Sequence, residues 1–146
     1  MRISAKARYR LAALVSMSGN SGNNCTTVIS LAEKLNISKI YLEQVFSLLK
    51  RSGIVTSVKG AQGGYYLSKP AGEITAFDVL SAIETSLFEG AEETVAASAP
   101  HIERALQEMA FRPLDHSIKK SLSGITIEDL SNKSAEYCGV DYMYYL

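Results

Sequence analysis

The chain has 146 residues, is 47% hydrophobic and holds three prolines, which excludes a disordered polypeptide and fits one domain with an appendage. Its charges cancel overall but not locally: residues 1–70 carry ten Lys or Arg against two Glu, and residues 71–146 carry five against thirteen Asp or Glu. Such segregation points to a polyanion, and so to nucleic acid, as the partner of the first half.

No apolar run approaches the roughly 18 residues of a membrane span. The basic start MRISAKARYR leads into no apolar leader with a small-residue cleavage site. A cytoplasmic protein is therefore expected, nucleoid-associated when bound to DNA. Cys25 and Cys138 make no disulfide framework, and no C-x-x-C is present.

In chain order, Ser4 caps a helix over 5–18, with Leu11, Leu14 and Val15 as its apolar stripe. GNSGNN at 19–24 breaks it. Thr27 caps a second helix, whose Val28, Leu31, Ala32 and Leu35 follow the i, i+3, i+4, i+7 spacing. After a turn at Asn36 and Ile37, Ser38 caps a third helix, KIYLEQVFSLLKRS, with Leu42, Val45, Phe46 and Leu49 facing inward and Gly53 ending it. The outward side carries Lys39, Ile40, Glu43, Gln44 and Ser47. The period then shortens to two: IVTSVK and YYLSK read as strands joined by GAQGG, a hairpin in which glycine supplies positive φ at low steric cost.

Three helices followed by a hairpin give the order of a winged helix. The expected fold is mainly α with a small β-hairpin wing: a winged helix-turn-helix over 1–72, a helical region over 73–132, and an aromatic tail over 133–146. Within the second region, ITAFDVLSAIETSLF reads as one helix capped near Thr75, and residues 89–100 read as a loop. The stretch 101–122 is a long amphipathic pattern that Pro113 kinks or divides. TIEDL at 126–130 suits another helix start.

Catalysis finds no support. The glycine cluster at 60–64 is not a phosphate-binding loop, because no G-K-[ST] follows and no helix begins after it. His101 and His116 have no ligand-like spacing to other donors, and no nucleophile elbow or paired-carboxylate site is present. No catalytic residue, metal ligand or cofactor is assigned.

DNA recognition is the better reading. Gln44 can bond an adenine edge bidentately and Glu43 can accept from cytosine N4, although Glu43 also suits a solvated helix face. Tyr41 can reach a phosphate or a base. Lys6, Arg8 and Arg10 on the first helix, and Lys50 and Arg51 at the end of the third, can neutralise phosphates.

MRISAKARYRLAAL, the string ISKIYLEQVFSLLKRSGIVTSVKGAQGGYYLSKP and the following EITAFDVLSAIE resemble the Rrf2 family of bacterial winged-helix regulators. The resemblance implies a homodimer on a palindromic double-stranded operator, joined mainly by a long helix in the C-terminal half, which makes 73–132 the helical dimerisation and regulatory region. It implies that Ser38, Tyr41, Glu43 and Gln44 work in the major groove, with Lys39 and Ile40 beside them. Lys59 and Gly60, at the wing, would enter the minor groove. Ile40 stands where many relatives carry a small polar residue, so the resemblance implies that a base or phosphate contact is replaced by packing against a thymine methyl. Lys59 replaces the more usual arginine and lacks its planar fork.

Well-known members carry three cysteines between the fourth and fifth helices and bind an iron–sulfur cluster, but residues 84–104 hold none here. The chain is more similar to the cluster-free branch of the family, typified by the cysteine-metabolism repressor CymR. That branch implies a repressor of sulfur or cysteine metabolism or of a thiol redox response. It also implies a complex with O-acetylserine thiol-lyase, CysK, through the residues Tyr142, Met143, Tyr144, Tyr145 and Leu146; packing of this tail on its own dimer is the alternative. Cys25, in a polar loop two residues before Thr27 and near the positive end of a helix, is a candidate redox-reactive thiolate or an incidental surface cysteine.

Overall fold

The computed structural model describes residues 3–19, 25–61 and 63–144, with the backbone alone for 140–144. Helix α1 (Ala5–Ser18) starts where the Ser4 side chain accepts the Ala7 N–H at 3.1 Å. Helix α2 (Val28–Leu35) is capped in the same way by Thr27 and closed by Asn36 in the left-handed region at φ 51°. Helix α3 (Lys39–Arg51) is capped by Ser38, and its Leu42, Val45, Phe46 and Leu49 are all buried. Gly53, at φ 75°, turns the chain into strand β1 (Val55–Val58), which pairs antiparallel with β2 (Gly64–Leu67) in the register Val55↔Leu67 to Val58↔Gly64.

The hairpin is anchored to the core by one of its two tyrosines. Alternation along β2 sends Tyr65 inward, where its ring lies 4.6 Å from that of Phe46, and leaves Tyr66 exposed. Tyr65 also exchanges both backbone hydrogen bonds with Thr26, at 2.8 and 2.9 Å. The segment before α2 therefore forms a third, one-residue strand on the wing, which no local pattern announces.

Beyond the wing, the expected fourth helix is two. Helix α4 (Ala76–Ser81) opens with a capping box between Thr75 and Asp78, and α5 (Thr85–Phe88) is a separate single turn. The Glu84 carboxylate turns back to accept the Ser4 N–H at 3.1 Å, and Phe88 folds over to meet Phe77 edge-on at 5.1 Å. Residues 89–99 are irregular, as the small and acidic composition implies.

Helix α6 (Pro100–Leu106) runs through a π-helical turn at Gln107–Phe111 into α7 (Arg112–Ser123). Pro113 does not divide the helix. It cannot donate to the preceding turn, and the wider π turn lying just before it absorbs that misfit. Helix α8 (Ile127–Tyr144) starts with a second capping box, Thr126 with Asp129, and continues without a break into the aromatic residues.

The core lies where α1, α3, β1 and α4 meet, and it takes in Ile127 from the start of α8. Ala76 N–H donates to the Ile125 carbonyl and Ile127 N–H to the Ile74 carbonyl, both at 2.8 Å. These bonds tie the start of α8 to the start of α4 within the acidic half, and packing of Ile127 carries that half into the core of the basic one. Among the described residues no helix is long and apolar enough to cross a membrane.

Candidate nucleic-acid interface

The buried stripe of α3 dictates what its other face presents. With Leu42, Val45, Phe46 and Leu49 committed to the core, the 3.6-residue repeat turns Lys39, Ile40, Glu43, Gln44 and Ser47 to solvent. Ile40, Glu43, Gln44 and Ser47 line one open groove, together with Leu48. Leu48 is the member of this face that the periodic reading does not single out. It sits at the margin between the two stripes and is partly exposed.

Charge on this face is partly self-compensated. Lys39 Nζ lies 3.7 Å from Glu43 Oε1, one turn apart and both exposed. The pair adds little stability, but it reduces the repulsion that Glu43 would exert on phosphates. Ser38 Oγ accepts the Tyr41 N–H at 3.2 Å, leaving its own hydroxyl proton available to an external acceptor. Tyr41 is half-buried, with its ring set edge-on to Tyr9 of α1 at 5.5 Å. This contact ties the first helix to the N-terminal turn of α3.

Lys6 and Arg8 are exposed on α1, and Lys50 is exposed in the last turn of α3. Arg10 departs from its sequence expectation. It is 4% exposed, its Nε has no hydrogen-bond partner, and it cannot neutralise a phosphate from that position. Burial pulls its pKa below the ordinary guanidinium value, partly offset by Tyr41 and Glu84 nearby. Glu84 is held below the ordinary carboxylate range by hydrogen bonding from the Ser4 side chain and then from its N–H.

At the wing, Lys59 and Gly60 are exposed at the hairpin tip. Gly60 has φ 117°, a conformation that side-chain-bearing residues rarely adopt, and a side chain at Gly63 would strike the Val58 carbonyl. These two glycines keep the tip narrow. Cys25 is half-buried, with its Cβ against the start of β2, 3.3 Å from where a side chain on Gly64 would begin. The side chains of Tyr142, Met143 and Tyr144, and all of Tyr145 and Leu146, lie outside the described residues.

The exposed face of α3, the basic start of α1 and a narrow cationic hairpin suit a duplex. Residues 3–133 match the family described as "Rrf2: Iron-dependent Transcriptional regulator". The HTH-type transcriptional regulator IscR of Cronobacter sakazakii is 33% identical over 132 residues, which cover 90% of this chain and 81% of that protein. The solved structure of CymR, the global cysteine regulator of B. subtilis, superposes with a TM-score of 0.71 at 31% identity, covering 91% of this chain and 98% of that one. The oxidized form of Staphylococcus aureus CymR gives 0.66 at 32% identity, covering 90% and 96%.

The residues present do not fit the iron of that description. The two cysteines are half-buried on the wing side and exposed on α8, none lies in 84–104, and the described residues hold no group of three or more His, Cys, Asp or Glu placed for a metal. Similarity over nearly the whole length and the exposed α3 face agree: the chain belongs to the Rrf2 family of winged-helix transcriptional regulators, DNA-binding proteins and not enzymes.

Proposed function

We propose that this regulator binds a palindromic operator as a homodimer and represses genes of sulfur or cysteine metabolism, or of a thiol redox response. The observation that carries the DNA reading is the α3 face, fully turned away from the core, with Gln44 as its base-reading side chain and Ser38, Lys39 and Tyr41 as phosphate partners. Lys59 at the wing supplies the minor-groove contact, while Lys6, Arg8 and Lys50 track the backbone.

The dimer is supported by the helix running from α6 to α7. It leaves Ile102, Leu106, Met109 and Leu114 exposed on helical spacing, Met109 at 82%. An apolar stripe of that length on a single chain suits a second copy. The sulfur connection is supported by the likeness to two CymR structures of 31% and 32% identity.

Cys25 supports the redox arm of the reading. Its place against β2, next to the Thr26–Tyr65 bridge, would carry a modification of the thiol directly to the wing. Peroxide would transfer one oxygen to the thiolate and leave as hydroxide, adding bulk and polarity where β2 begins. Capture of O-acetylserine thiol-lyase by residues 142–146 is the remaining component. It is supported by the aromatic composition of that segment and is tested by whether deleting those residues abolishes a salt-insensitive complex with the enzyme.

Selection of bound fragments from host genomic DNA tests the central reading. The expected result is a two-fold symmetric site upstream of sulfur-metabolism genes, with affinity that falls steeply with salt and is lost in Gln44→Ala. Peroxide should weaken binding of the native protein but not of Cys25→Ser. Recovery of no sequence above background would sink the proposal.

A further inference from the structure

We infer that Ile40 reads the 5-methyl group of a thymine in the major groove, beside an A·T pair addressed by Gln44; the inference rests on the operator-binding reading above. Ile40 is the second residue of α3 and is 72% exposed. It falls outside the helix's buried stripe, so its apolar side chain serves no packing in the fold described. The first turn of such a helix is the part that enters the groove most deeply. An isoleucine there adds no phosphate contact and no hydrogen bond.

The chemistry of the groove narrows what it can meet. Among the base-pair edges presented in the major groove, the thymine methyl is the one apolar group. A β-branched side chain on a helix is held in essentially one rotamer, so Ile40 offers a fixed apolar surface and loses little entropy on contact. The shallow groove it shares with Glu43, Gln44, Ser47 and Leu48 has a mainly apolar lining, which extends that surface along the helix.

Spacing then selects the neighbour. Ile40 and Gln44 are one turn apart on the same face, about 6 Å along the axis. That distance is of the order of one to two base-pair steps of about 3.4 Å each. Gln44 can therefore address an adenine N6/N7 edge adjacent to the methyl that Ile40 covers. Glu43 lies between them, and its carboxylate is partnered by Lys39 at 3.7 Å. This arrangement specifies neighbouring A·T pairs in each half-site.

The test uses the full-length protein and its selected operator, with each thymine replaced in turn by deoxyuridine, which removes the methyl and leaves every base-pair hydrogen bond in place. At one thymine per half-site, the loss of the methyl should weaken binding about fourfold. Ile40→Ser should bind thymine and deoxyuridine operators equally, with an unchanged dependence of affinity on salt and an unchanged melting temperature. Tolerance of deoxyuridine at every position by the native protein would overturn the inference and leave the operator reading standing. So would a thymine preference that survives in Ile40→Ser. Failure to bind any operator would instead remove the reading on which it rests.

Discussion

Arg10 and Glu84 show how single side chains can fall out of a sequence pattern. Arg10 lies in a basic run and reads as a phosphate contact, yet the rotation of α1 that buries Ala7, Ala13 and Leu14 also turns Arg10 inward. Glu84 reads as one residue inside a longer helix, yet its carboxylate serves the N-terminus of α1, 80 positions away in sequence. Nothing local to either residue states its partner. The pH consequence follows from the direction of the shift. A carboxyl whose folded pKa is depressed adds stability above its unfolded pKa and loses it as pH falls through the folded one. Glu84→Gln should therefore melt below the native protein at pH 7, and the gap should close as pH drops below about 4. Melting curves across that range check it; a gap that stays constant with pH would show that the charge on Glu84 does nothing.

The elements were legible where their signals are local. Ser4, Thr27, Ser38, Thr75 and Thr126 cap helices at the positions their side chains announce, because an N-cap bond spans only three residues. The shift of period from 3.6 to 2 after Gly53 likewise marked the hairpin. The split of α4 from α5, and the Thr26 strand on the wing, depend on contacts between distant segments and left no such mark. A wing held to the domain through Tyr65, by Phe46 and Thr26, should tolerate change at Lys59 beyond that anchor. Lys59→Ala should leave the fold intact, weaken binding about uniformly across operator sequences, and lower the salt slope by about one per wing. Affinity measured against several operators over a salt series checks this, and a loss confined to one operator would assign Lys59 to base reading instead.

For the whole molecule, the division into a basic and an acidic half does not correspond to two cores. Ile127 is fully buried in the same core as Leu42 and Phe46, and α8 packs on α1. Ile127→Ala should then cost about 2–5 kcal/mol of unfolding free energy. In denaturant, the DNA-binding half and the C-terminal half should still unfold in one transition. Two separated transitions would show that the halves are energetically independent. The shared core also gives a route from the C-terminal half to the reading helix: α8 presses on α1, and α1 meets α3 through Tyr9 and Tyr41.

The sequence alone determined the helix starts, the hairpin, the buried stripe of α3 and hence the residues on its reading face, because each depends on spacing within one or two turns. The charge segregation, a property of composition, likewise named a polyanion before any coordinates did. Only the tertiary structure decided that Arg10 is inside, that Glu84 reaches the Ser4 N–H at the start of α1, that Thr26 completes the wing beside Cys25, and that Ile127 closes the core. Each of these rests on an approach between segments far apart in the chain, and such approaches are set by how whole faces pack rather than by the residues next in line.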